Sequence, residues 1–167
     1  ILINIFFLIY CDTSLIGFIL SNLIIISFFS LISILQKPDG LYLFLYIVIL
    51  VSVMDIFAYF GGKLFGKRKI IPKISKGKTV EGTIIGLIST IVLSYVIRDL
   101  INFNITYALI CGLVISILAF FGDLVESLFK RKMGVKDSGK LIPGHGGLLD
   151  RFDGYFLVLP FFYFLII

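Results

Sequence analysis

Between residues 123 and 153 the chain sets five carboxylates among lysines and arginines: Asp123, Glu126, Asp137, Asp150 and Asp153. Asp123, Ser127 and Lys130 fall at i, i+4 and i+7, which puts them on one helix face with Glu126 beside them. Asp150 and Asp153 follow at i and i+3, on a helix expected to open after a glycine-rich turn. Carboxylates converging from two helices are hard oxygen ligands suited to Mg²⁺. Left alone they would repel one another near a low-dielectric boundary, so either a bound cation or the neighbouring lysines must neutralise them. The turn reads Pro143-Gly144-His145-Gly146-Gly147. Its glycines allow a sharp bend or a close ligand approach, and its N–H groups beside a helix N-terminus can cradle a phosphate. His145 is the sole histidine, so a His-based zinc cluster is excluded. It either contacts substrate or shapes the turn.

Two further features could take part. Lys76 and Lys78 stand just before Thr79, a residue type that caps helices, with Glu81 in the first turn that follows. They either form a second anion-binding point or, like Lys63, Lys67, Arg68 and Lys69, meet lipid headgroups. Asp55 lies inside an apolar run, with Ser52 and Tyr59 at −3 and +4 from it. An intramembrane carboxylate is costly and marks a functional site by default; the alternative is a protonated side chain bonded to a neighbouring helix.

The elements that must position these groups are membrane helices. The 167 residues are 59% hydrophobic and 15% charged, with a mean hydropathy of +1.12. Soluble domains are about 45–50% apolar and about a quarter charged. This composition excludes a disordered chain, a nucleic-acid-binding tail and a disulfide scaffold. Cys11 and Cys111 sit in or beside apolar runs and read as small hydrophobes. Apolar runs over 15–35, 41–60, 80–97 and 105–121 each approach the ~20 residues a transmembrane helix needs. Partial spans are expected at 1–10 and 155–167. The fold class expected is therefore all-α, a polytopic helical integral membrane protein with about four complete and two partial spans. Residues 1–50 would be N-terminal transmembrane helices, truncated upstream, and 51–167 a catalytic membrane region with loops 61–79 and 123–154. Thirteen of the 15 basic residues fall in or near those two loops. Two crossings separate the loops, so both face one side, and the positive-inside rule makes that side cytoplasmic.

Ser127-x-x-Lys130-Arg131, Lys136-Asp137-x-Gly139, Ile142-Pro143-Gly144-His145-Gly146-Gly147 and Asp150-Arg151-x-Asp153 together resemble the defining motif of the phosphatidate cytidylyltransferase (CDP-diacylglycerol synthase) family. The preceding Gly122-Asp123 fits it too. Asp55-x-x-Ala58-Tyr59-x-x-Gly62-Lys63-x-x-Gly66-Lys67 and Pro72-Lys73-x-Ser75-x-x-Lys78-Thr79-x-Glu81-Gly82 look like the family's other two blocks. The resemblance covers about residues 50–160. The chain departs where Met54-Asp55-Ile56-Phe57 replaces a more usual Asp-Thr-Gly, and where Val80 stands for an aromatic residue.

The resemblance implies transfer of the cytidylyl group of CTP to phosphatidate, giving CDP-diacylglycerol and pyrophosphate for phospholipid biosynthesis. It implies a catalytic group of Asp123, Ser127, Lys130, Asp150 and Asp153, with Asp123 and Asp150 holding Mg²⁺ and K⁺ as the second cation. Lys76, Lys78, Lys136, Asp137, His145, Arg151 and Asp55 would meet substrate. The expected partners are CTP, phosphatidate in the bilayer, membrane lipids and, in a homodimer, a second copy; nucleic acid is not among them. The expected location is a bacterial inner membrane with the site facing the cytoplasm. Two other functions use similar groups. A CTP-dependent polyprenol or phytol kinase would move the γ-phosphate instead. An ion or solute transporter would use Asp55 and the acidic cluster without CTP, leaving the Gly-His-Gly-Gly turn unexplained.

Overall fold

The computed structural model describes residues 15–72, 74–75, 77–132, 134 and 152–166. Among them are five α-helices: α1 Leu15–Leu35, α2 Gly40–Phe65, α3 Val80–Val96, α4 Ile105–Lys132 and α5 Tyr155–Ile166. No strand occurs among the described residues, and Lys69 and Thr79 form one isolated antiparallel bridge. The fold is all-α, as expected. Two of the expected complete spans, in α2 and α4, are long and apolar enough to cross a bilayer by length and composition. Large apolar side chains such as Phe28, Phe29, Leu41, Ile88 and Phe164 lie exposed on the outer faces. Such a surface is costly in water and at no cost against lipid.

Local chemistry sets the helix limits. The Lys37-Pro38-Asp39-Gly40 turn separates α1 from α2, and Gly40 donates to Lys37 O at 2.9 Å. A Cβ at Gly40 would stand 2.3 Å from Ile34 O, so the tight return needs glycine there. After α3, a 3₁₀ turn over Arg98–Ile101 ends at Asn102 in the left-handed region. Asn104 Oδ1 then accepts from Tyr107 N at 2.7 Å and caps the start of α4.

Two helices outrun the expected loop limits. Helix α2 continues five residues past Phe60 to Phe65, and α4 runs eleven past Phe121 to Lys132. Nothing between Gly122 and Lys132 breaks a helix, and charged residues are as helical as apolar ones once the chain leaves the bilayer. The first part of the expected 123–154 loop is thus helix.

The helices surround a core of Ile47, Leu50 and Met54 from α2, Cys111 and Ile115 from α4, and Val158 and Phe162 from α5. Helix α3 packs on α2 through a buried four-residue ladder of small residues: Gly82, Gly86, Thr90 and Ser94. A Cβ on Gly82 would come within 2.4 Å of Ala58 O, and one on Gly86 within 2.8 Å of Met54 O. Close backbone approach of this kind is how membrane helices gain packing without a hydrophobic drive between them. Tyr46 donates to Ser94 Oγ at 2.6 Å, and Ser94 donates onward to Ala108 O, tying α2, α3 and α4. In α5, Pro160 cannot donate to the carbonyl of Phe156. Ser27 of α1 reaches that carbonyl instead, its Oγ 2.7 Å from Phe156 O and 2.7 Å from Leu23 O, so its one proton is shared between them.

The helices alternate in direction. Lys37, Asn102, Asn104, Tyr107 and Ile166 gather at one end. The ends of the helices bearing Lys78, Asp123 and Asp153 gather at the other.

Candidate functional site

A cavity of about 350 Å³ opens at that second end. Asp55 and Tyr59 of α2, Lys78 and Thr79 before α3, Asp123 of α4 and Asp153 before α5 all line it. Four segments distant in sequence therefore supply its polar groups.

The segment before α3 is held by its own bonds. Thr79 Oγ1 accepts from Gly82 N at 3.2 Å, the cap its type and position predict. Ile70 N donates to Lys78 O and Val80 N to Arg68 O, closing the 68–80 stretch into a ribbon. Glu81 does more than face a helix dipole: its Oε2 accepts from Lys67 N at 3.0 Å and Arg68 N at 3.2 Å. Arg131 Nε donates to Ile74 O at 3.2 Å and fastens the ribbon to the end of α4. Lys63, Lys67, Arg68 and Lys69 are exposed along this stretch.

On α4, the i, i+4 spacing holds. Ser127 Oγ donates to Asp123 Oδ1 at 3.2 Å. Lys78 Nζ lies 2.7 Å from Asp123 Oδ2 and 4.7 Å from the centre of the Phe120 ring. Lys130 pairs with Glu126 at 2.6 Å, and Glu126 is only 4% exposed. Gly122 explains how the turn before α5 reaches this face. A Cβ there would lie 2.6 Å from Asp153 O, so the two backbones touch.

Asp153 lies in the turn between Phe152 and Tyr155 rather than on the following helix. Its Oδ1 accepts from Gly154 N at 2.7 Å. Burial, and then the charge of Asp123, push its carboxyl up to about 6 against the Gly154 hydrogen bond. One carboxylate oxygen from each of Asp123, Glu126 and Asp153 lies within 4.8 Å of the other two. Three hard oxygen donors gathered in this way are of the type that holds a divalent cation.

Of the residues expected at the site, Asp55, Lys78, Asp123 and Asp153 meet at the cavity. Ser127 and Lys130 stand beside it, bonded to Asp123 and Glu126. Asp150, Lys76, Lys136, Asp137, His145 and Arg151 lie outside the described residues. Asp55 is ten residues from the end of α2, not the five that the apolar run ending at residue 60 implies, because α2 runs on to Phe65. Tyr59 lines the cavity with it, while Ser52 meets Tyr155. Glu126, expected beside the Asp123 face, was not assigned a role, and Phe120 and Gly122 were not expected at the site. The i+3 spacing of Glu126 from Asp123 was a usable signal for the first. The roles of Phe120 and Gly122 come from contacts with other segments and left no local sign.

The model of the cytidylyltransferase family matches residues 3–167. The chain belongs to that family. It is 49% identical over 129 residues to a phosphatidate cytidylyltransferase of Haemophilus influenzae, covering 74% of this chain and 45% of that protein. It is 47% identical over 126 residues to a phosphatidate cytidylyltransferase of Staphylococcus haemolyticus, covering 74% of this chain and 48% of that one. An uncharacterized protein of Escherichia coli is 48% identical over 128 residues, covering 75% of this chain and 43% of its own. The chain spans about half the length of the curated relatives it matches.

Proposed function

We propose that this cytidylyltransferase-family protein transfers the cytidylyl group of CTP to phosphatidate, releasing pyrophosphate and leaving CDP-diacylglycerol in the bilayer. The observation that carries this is the meeting of Asp123, Asp153, Asp55 and Lys78 around one cavity at the end of a lipid-facing helix bundle. The names of the relatives support the choice of substrates.

A phosphate oxygen of phosphatidate attacks the α-phosphorus of CTP. The bond to the bridging oxygen of the β-phosphate breaks, and pyrophosphate leaves. No protein nucleophile is needed, so the chain contributes position and charge. Asp123 and Asp150 would hold Mg²⁺ with K⁺ as the second cation, and Asp153 and Glu126 would complete the oxygen shell. When bound, the cations neutralise the attacking and leaving oxygens. Ser127 orients Asp123 through its hydrogen bond. Lys130 offsets the charge of Glu126. Lys78 presents its ammonium beside the α3 N-terminus, where an anion is favoured. Lys76, Lys136, Asp137, His145, Arg151 and Asp55 belong to the proposal as contacts to the triphosphate or the lipid phosphate. The positive-inside pattern supports a bacterial inner-membrane location with this end facing the cytoplasm. A homodimer is part of the same proposal.

The test is CTP-dependent formation of CDP-lipid by the protein in detergent, with and without Mg²⁺. Activity should need Mg²⁺ and fall by about 10²-fold or more in Asp123→Asn. An Asp123→Asn protein working at full rate would sink the assignment.

A further inference from the structure

The Lys78–Asp123 pair has a consequence for cation loading. Asp123, whose carboxylate is assigned above to a cation, has its Oδ2 held by Lys78 Nζ at 2.7 Å. A cation and the ammonium on that one small carboxylate would crowd like charges. We propose, resting on the cation site put forward above, that Lys78 is a built-in competitor for Asp123. Arrival of a divalent cation displaces its ammonium, and the freed ammonium is delivered to the anionic oxygens of the nucleotide.

Three features of the site support an exchange. The ammonium has other partners within reach: the Phe120 ring centre at 4.7 Å and Phe120 O at 3.4 Å. It can leave Asp123 without losing all its contacts. Its backbone is fixed by the Ile70 N to Lys78 O bond and by the neighbouring Thr79 cap, so only the flexible stem must move. The cavity into which it would swing is lined by Asp55 and Asp153 as well as Asp123. Lys130 stands beside the cavity, paired with Glu126 and within electrostatic reach of Asp153, while among the described lining residues the single cation is Lys78. A divalent ion supplies twice its charge there, and a triphosphate arriving with that ion gives the released ammonium an anion to meet.

Mn²⁺ binding, measured by electron paramagnetic resonance on protein stripped of divalent ions, separates the possibilities without any turnover. Lys78→Met keeps the apolar stem on Phe120 and removes the competing charge. It should bind Mn²⁺ about three- to tenfold more tightly than the wild type. Lys78→Arg retains the charge and should stay within about twofold of the wild type or bind more weakly. In an Asp123→Asn background, Lys78→Met should give no gain. CTP binding, followed separately, should weaken in Lys78→Met. Equal or weaker Mn²⁺ binding by a folded Lys78→Met protein overturns the exchange while leaving the cation site standing. Mn²⁺ binding to neither wild type nor variant overturns both. If Lys78→Met does not fold, tighter binding by Lys78→Gln supports the exchange and unchanged binding overturns it.

Discussion

Asp153 is the residue whose protonation the fold disturbs most informatively outside the membrane helices. Its carboxyl, ordinarily near 3.8, is raised to about 6 by burial and by Asp123. A carboxyl that holds its proton more tightly when folded loses stability as pH rises from about 4 through about 6. Thermal melts in detergent without divalent ions should therefore show wild-type stability falling over that range relative to Asp153→Asn. Mg²⁺ should cancel the difference by giving the ionised form a partner. A wild type that tracks the variant at every pH would contradict this. Spacing made Asp123 and Ser127 legible as one helix face, because i, i+4 geometry is local. Convergence of Asp153 on Asp123 was expected from the two carboxylate-bearing segments, but the contact that makes it was not, since it runs through Gly122 and a turn thirty residues away.

The elements owe their placement to small residues more than to apolar bulk. Helix α3 meets α2 at Gly82 and Gly86, and this crossing puts Lys78 at the cavity mouth. Gly82→Ala forces a Cβ to 2.4 Å from Ala58 O, so the helices must part. It should cost about 1–3 kcal/mol and lower the melting temperature. Gly77→Ala is the control, because a Cβ there meets nothing within 4 Å. It should leave the melt unchanged. Ser27→Ala should cost about 1 kcal/mol by removing the hydroxyl shared between Leu23 O and Phe156 O beside Pro160. Hydrophobic runs predicted the existence of these helices well, because twenty apolar residues need no tertiary context. They placed the ends of α2 and α4 too early, because a helix leaving the bilayer changes composition before it changes conformation. The four-residue ladder from Gly82 to Ser94 was visible in the sequence, yet hydropathy does not register it.

At the scale of the whole molecule, alternating helices put the basic ribbon, the carboxylates and the cavity at one end. The parity of spans, counted from the apolar runs, predicted that both basic stretches share one end. In a background lacking native cysteines, Arg68→Cys and Arg131→Cys should be labelled from the same side by a membrane-impermeant reagent. Asn102→Cys should be labelled only from the other. Labelling of positions 68 and 131 from opposite sides would contradict the topology. Chemistry remains the deciding matter, because a kinase and a cytidylyltransferase can share a cation site at a bilayer surface. CTP labelled separately at the α- and γ-phosphorus, supplied with phosphatidate and Mg²⁺, distinguishes them directly. The α label should appear in lipid and the γ label in pyrophosphate. Lipid carrying the γ label and none of the α label would contradict the proposed transfer.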